Sequence, residues 1–434
     1  ILLALIMAIS TGACSRTEGR NNDDNDEEQT VQITEDGDED EDEDKDKDRD
    51  KDKNKDEDKS PAESPTIKLP PARSGGTKPD YGTLSDNLYS FQCEINGDLY
   101  QFPMKYTDFI SYGWTIDGDD TEKVDSGFYK YEYFSIGDLK CYASVVNFDI
   151  NALPINECYV GGIKIDEYRT EKVKDFSMRL PKGIEYGKST VEEIKTAYGE
   201  PSYFYEGEYY TSLKYSYAVL QTVKIHVSAE TGFVNEIEIQ SLAEPEDLVT
   251  GEVGTEVPEI VKKYKAPDKL DDNFDTFTVQ YGGHLYKLPA PVSCFIANGW
   301  EISKKDSDMY LAGRGYGIIL LTKEYQKLRA TVKNYSEMAT IIENCFVTLV
   351  KSGDSDNKTE IIIPRNIKLE MSESEVEKAL KGVEYKKDTL YSTYNRYLIE
   401  PVDFGLYCYK IYTDKGTVHK IEVNYEPHYD DYMK

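Results

Sequence analysis

The chain has 434 residues and carries 82 acidic against 51 basic side chains, a formal net charge of −31. Such acidity argues against nucleic acid as a partner, because phosphate binding needs a basic surface. Four histidines are present and no His or Cys/His set has zinc-ligand spacing, so no metal and no cofactor is expected.

In chain order, the first feature is "ILLALIMAISTGACS". An apolar run of this length is too short to span a bilayer but suits a signal-peptide core, so residues 1–13 read as a partial signal that begins without its Met or basic leader. Thr11, Gly12 and Ala13 lead into Cys14, which resembles the lipobox of bacterial lipoproteins. The resemblance implies a lipidated Cys14, a lipid anchor in the cell membrane and an extracytoplasmic location at the bacterial cell surface. Ordinary secretion with nearby cleavage is the alternative.

Residues 14–85 read as a disordered acidic linker. From Asp23 to Lys59 there are 21 acids and 7 bases, a composition that cannot bury enough apolar surface to offset chain entropy. The Asp-x-Asp pattern does not make an EF-hand loop, because Arg49 and Lys55 stand where Gly and Glu are required.

Two segments then match without a gap: Phe91 to Ile116 and Phe277 to Ile302, identical at 10 of 26 positions. The matches include Gly97/Gly283, Tyr100/Tyr286, Phe109/Phe295 and the chain's two tryptophans, Trp114 and Trp300, whose expected work is core packing. "ASVVNF" meets "ATVKNY", "LPKGI" meets "IPRNI", and "GFVNEIEI" meets "GTVHKIEV". The pattern reads as a duplicated, domain-sized unit over residues 86–243 and 272–426, with a linker at 244–271 and a tail at 427–434.

Within a unit, Asn96-Gly97 and Gly282-Gly283 signal hairpin turns, and "YKYEYF" and "VKIHV" have the period of strands. Short helices are expected at 106–112 and 292–298. The clearest helix follows Thr190, whose capping box is completed by Glu193; in the second unit Ser372 and Glu375 play those parts. The phrase "GKSTVEEIKTAYGEP" resembles the beta-lactamase-inhibitor-protein-like fold, also found in small outer-membrane assembly lipoproteins. Gly187, Thr190, Ile194, Gly199 and Pro201 carry the resemblance, which implies an α+β fold: short helices packed on one face of an antiparallel sheet, often used for binding.

Chemistry is sparse. His226, His284, His419 and His428 read as strand or surface residues, and "GRGYG" at Gly313 lacks the Lys-Ser/Thr of a phosphate loop. No Gly-x-Ser-x-Gly elbow occurs. Six cysteines after Cys14 permit three disulfides, but their apolar contexts favour buried thiols. The positive signal is 36 tyrosines. Tyr203, Tyr205, Tyr209, Tyr210, Tyr215 and Tyr217, with Tyr391, Tyr394 and Tyr397, are the candidate binding residues, although tyrosine is also a good strand former. The expectation is a non-catalytic binding module for a protein or glycan partner in the envelope. The alternative is an envelope enzyme acting on glycan or peptidoglycan through unidentified acids.

Overall fold

The computed structural model describes residues 77–353, 358–391, 393–401, 407–429 and 432. The apolar run 1–13, Cys14 and the acidic stretch 23–59, with the expectations that rest on them, lie outside the described residues. The chain divides into two units, Ile1–Pro70 and Pro71–Lys434, and every described residue belongs to the second.

Strands dominate because the sequence alternates apolar and polar side chains over long stretches. In the first half the main sheet is built from β1 (Thr115–Ile116), β2 (Tyr129–Ile136), β3 (Leu139–Val146), β4 (Tyr159–Asp166), β5 (Tyr203–Glu206), β6 (Tyr210–Ala218), β7 (Gln221–Ser228) and β8 (Val234–Ser241). Their spatial order is β5-β6-β7-β8-β4-β3-β2-β1, all neighbours antiparallel, and the short strand Met104–Lys105 also pairs with β4. In the second half the corresponding strands are β9 (Glu301–Ile302), β10 (Tyr316–Lys323), β11 (Gln326–Lys333), β12 (Phe346–Ser352), β13 (Lys386–Tyr391), β14 (Tyr394–Ile399), β15 (Tyr407–Asp414) and β16 (Thr417–Tyr425). They follow the order β13-β14-β15-β16-β12-β11-β10-β9. The molecule is thus mostly antiparallel sheet with few, short helices, in two sheet-rich halves of α+β character.

The helices are α1 (Tyr106–Ser111), α2 (Glu167–Thr170), α3 (Val191–Tyr198), α4 (Glu259–Lys263), α5 (Val292–Ala297) and α6 (Glu373–Ala379). At α3 the Glu193 carboxylate accepts from the Thr190 N–H at 2.9 Å, while Thr190 Oγ1 accepts from the Glu193 N–H at 3.4 Å. Ser372 and Glu375 make the same reciprocal pair at α6. The other ends are matched too. Lys182 Nζ donates to the Ala197 carbonyl at 2.6 Å, and Arg365 Nη1 donates to Ala379 at 2.9 Å, each placing a cation on the carbonyls of a helix C-terminus.

Each half has its own apolar core. Alternate residues point inward, such as Ala143 and Val145 of β3, Ile163 and Ile165 of β4, and Ile237 and Ile239 of β8. Trp114 is buried, stacks on Phe109 at 5.4 Å and donates from Nε1 to the Tyr100 hydroxyl at 3.0 Å. Trp300 is equally buried, 5.7 Å from the ring of Tyr281. Cys93, Cys141, Cys158, Cys345 and Cys408 are buried and Cys294 is half-buried; burial pushes the Cys158 thiol up to about 12.

The loops after β3 and β11 join the halves. Asn147 and Asn334 each hold their own loop, Asn147 Nδ2 donating to the Val124 and Asn151 carbonyls and Asn334 Nδ2 to those of Ala312 and Met338. Asn151 Oδ1 then accepts from the Ala339 N–H at 2.7 Å, the Ala152 N–H donates to the Glu337 carbonyl, and the Gly313 N–H donates to Ile150. The "GRGYG" segment is therefore part of this junction. Arg314 lies 3.5 Å from Asp125 in the first half and 3.2 Å from Glu337 in the second. Residues 251–254 run beside it, with the Gly254 N–H donating to the Ala339 carbonyl and the Gly251 N–H to Asp149.

Candidate functional site

The outward face of the first sheet carries the most distinctive set of side chains. Because strand side chains alternate, residues facing outward line up in rows across the ladder. One row runs Tyr133, Tyr142, Lys164, Glu238, Lys224, Lys214. The next runs Tyr131, Ser144, Gly162, Gln240, Thr222.

Where these rows cross β2, β3, β4 and β8 there is a pocket of about 330 Å³. Gly162 is at its floor for a steric reason: a Cβ there would lie 2.0 Å from the Ile239 carbonyl oxygen and 2.8 Å from Gln240 Cα. Without a side chain at Gly162, β4 and β8 approach closely there, and neighbouring rings border the pocket. Tyr131 and Tyr142 stack with centroids 5.0 Å apart and planes 9° apart, and Tyr133 packs on Tyr142 at 4.8 Å. Tyr131 and Tyr133 remain 42% and 50% exposed.

Arg169 reaches the pocket from α2. Its side chain is ion-paired with Asp166, and its guanidinium carbon stands 5.7 Å from the Tyr133 ring centre and 5.8 Å from that of Tyr142. Ser144 is only 3% exposed, and among the described residues its hydroxyl has no hydrogen-bond partner; neither does Arg169 Nε. Buried polar atoms are normally satisfied, so two such atoms beside one pocket mark it out. Burial, followed by the charge of neighbouring Tyr129, pushes the Tyr131 hydroxyl up to about 12, so it stays protonated at neutral pH.

A broader cleft of about 790 Å³ adjoins the pocket across Lys164, with Asp166, Tyr209, Tyr210, His226 and Glu236 among its walls. His226 Nδ1 lies 3.4 Å from Glu236 Oε1, and Lys164 Nζ lies 3.1 Å from Glu236 Oε2. His226 stacks on Tyr210 at 4.4 Å. Burial lowers the His226 pKa, outweighing the attraction of Glu236, and Lys224 and Lys164 act in the same direction as burial.

The tyrosines expected to bind fall into two groups. Tyr203, Tyr205, Tyr209, Tyr210, Tyr217 and Tyr391 are exposed, and Tyr394 is half-buried. Tyr209 and Tyr210 border the broad cleft, and Tyr203 borders a shallow depression with Lys214 and Lys224. Tyr215 and Tyr397 differ from that expectation: both are buried in the core and present no surface to a ligand. Tyr215 donates to the Gly199 carbonyl at 3.0 Å, and the Tyr397 hydroxyl is held by Glu373 and Glu377. Tyr131, Tyr133, Tyr142, Ser144, Gly162 and Arg169 were not singled out from sequence. The tyrosine alternation "YKYEYF" was their only visible trace.

The second half does not repeat the pocket. Ile318, Leu320, Arg329, Thr331 and Leu349 occupy the ladder positions of Tyr131, Tyr133, Tyr142, Ser144 and Gly162. Only the charged row is kept, as Lys410 and Lys351 beside Glu422. Among the described residues no group of three or more His, Cys, Asp or Glu side chains is arranged to hold a metal ion, and no helix is long and apolar enough to cross a membrane. No protein-family model, curated protein or solved structure matches the chain.

Proposed function

We propose that this chain is a membrane-anchored, extracytoplasmic lipoprotein of the bacterial cell surface, acting as a non-catalytic binding module for a protein or cell-envelope partner. In this reading Cys14 bears the lipid and the acidic segment is a spacer. The two halves are copies of one α+β unit resembling the beta-lactamase-inhibitor-protein-like fold, and the first copy carries the ligand surface. The observation that carries the reading is the tyrosine and arginine pocket over Gly162, with the buried Ser144 hydroxyl at its base. A concave site with aromatic walls and a few oriented polar groups is the usual form of a binding site.

The test is capture from a cell-envelope extract by the full-length chain, beside a Tyr131→Ala/Arg169→Gln double variant. A stoichiometric partner retained by the wild type and lost by the variant is expected. Equal capture by both, or by neither, would overturn the assignment of this face.

The second reading is an envelope enzyme acting on glycan or peptidoglycan. It is favoured by the His226–Glu236 pair in the broad cleft, since an imidazole oriented by a carboxylate can move a proton. Turnover of envelope glycan that His226→Ala abolishes would establish it.

A further inference from the structure

We propose that the pocket over Gly162 takes a single saccharide ring bearing a carboxylate. This rests on the reading of the first sheet's outward face as the ligand surface and names its ligand chemistry.

The walls are aromatic and partly exposed, with Tyr131 and Tyr142 nearly parallel and Tyr133 beside them. A pyranose has an apolar C–H face and a rim of hydroxyls, and tyrosine offers an apolar ring with a polar tip to match. The base is polar: the Ser144 hydroxyl, 3% exposed and unpartnered among the described residues, can both donate and accept. A hydroxylated ligand satisfies it, whereas a purely apolar one seals it in unpaired.

Charge adds the carboxylate. Arg169 is held on one side by Asp166, and its Nε–H has no partner among the described residues. A guanidinium edge of this kind suits a planar carboxylate. The acid on the same wall, Glu238, is neutralised by its ion pair with Lys224, so it does not oppose an anion at full strength.

Size and position argue against a peptide. About 330 Å³ is at the lower end for small-molecule sites, enough for one ring rather than a chain. Peptides that add to sheets use an open edge, and this pocket lies over β3, β4 and β8, whose backbones are paired on both sides.

The experiment is calorimetric titration of the full-length chain with glucuronate and N-acetylmuramate, beside glucose, N-acetylglucosamine and acetate. At least one acidic sugar is expected to bind at one site, with the neutral sugars about tenfold weaker, the size of one charged hydrogen bond, and acetate weaker still. Arg169→Gln should erase the preference for acid. Ser144→Ala, which removes one oxygen without changing the fold, should weaken every sugar. Tyr325→Ala, an exposed position in the second half, should change nothing. Acetate binding as tightly as the acidic sugars would reduce the pocket to an anion site and overturn the proposal, as would binding indifferent to Arg169 and Ser144. If no sugar binds while envelope capture still depends on Tyr131, the saccharide fails and the binding surface stands. Capture surviving periodate treatment of the extract would then identify a protein partner. Loss of both would remove both readings.

Discussion

Tyr131 and Tyr142 are diagonal neighbours across β2 and β3, and their rings stack 5.0 Å apart over the row containing Ser144 and Gly162. Diagonal pairs on a sheet are within reach only for long or aromatic side chains. The stack forms the wall of the pocket, with the Ser144 hydroxyl beneath it.

That arrangement separates stability from binding at Ser144. Ser144→Ala removes a buried hydroxyl with no partner among the described residues, so stability in urea should be unchanged or rise by about 1 kcal/mol. A loss larger than that would mean the hydroxyl is satisfied within the fold.

Gly162→Ala should behave oppositely. The added Cβ would meet the Ile239 carbonyl at 2.0 Å, a backbone atom that cannot rotate away. Overpacking of this kind is expected to cost about 3 kcal/mol, read as a lower urea midpoint. A variant as stable as the wild type would contradict the close approach of β4 and β8.

At the junction of the halves, Asn151→Ala would leave the buried Ala339 N–H without its acceptor. The expected cost is about 1–3 kcal/mol. It should appear in calorimetry as earlier unfolding or as separation of one transition into two. An unaltered single transition would show that the other junction contacts suffice.

Acid should weaken the first sheet through His226. Its folded pKa is lowered, mainly by burial, against the opposing pull of Glu236 and Glu238 and with help from Lys224 and Lys164. The unfolded chain therefore binds the proton first. Stability is full above the unfolded pKa of about 6.5, falls as pH drops below it, and levels off beneath the folded value. His226→Gln should flatten that segment of the stability profile measured by urea unfolding from pH 7.5 to 5. An identical slope in wild type and variant would assign the proton to another group.

Local features were readable in the residues because local chemistry decides them. The capping pairs Thr190–Glu193 and Ser372–Glu375 need only a spacing of three, and both form reciprocal hydrogen bonds. The hairpin at Asn96-Gly97 needs two residues tolerant of positive φ, here 51° and 90°. Tyrosine orientation is a different matter. In "YYTSLKYSY" period two puts Tyr215 and Tyr217 on one face, yet Tyr215 is covered by Tyr198 of α3 while Tyr217, beside the register shift at Ser216/Ala218, stays exposed. The pocket was out of reach for a topological reason. Ser144 and Gly162 come from successive strands, β3 and β4, but Gln240 comes from β8, which is adjacent to β4 in space and far from it in the chain. No spacing rule brings together residues separated by a sheet crossover.

The first sheet, not the second, is proposed to meet the partner, and tyrosine footprinting tests this directly. The full-length chain would be nitrated with and without envelope extract, and modification read by peptide mass spectrometry. Protection of Tyr131, Tyr133 and Tyr142 is predicted, with Tyr325 and Tyr391, exposed in the second half at 85% and 71%, still modified. Protection confined to Tyr325 and Tyr391, or none at either sheet, would contradict the account.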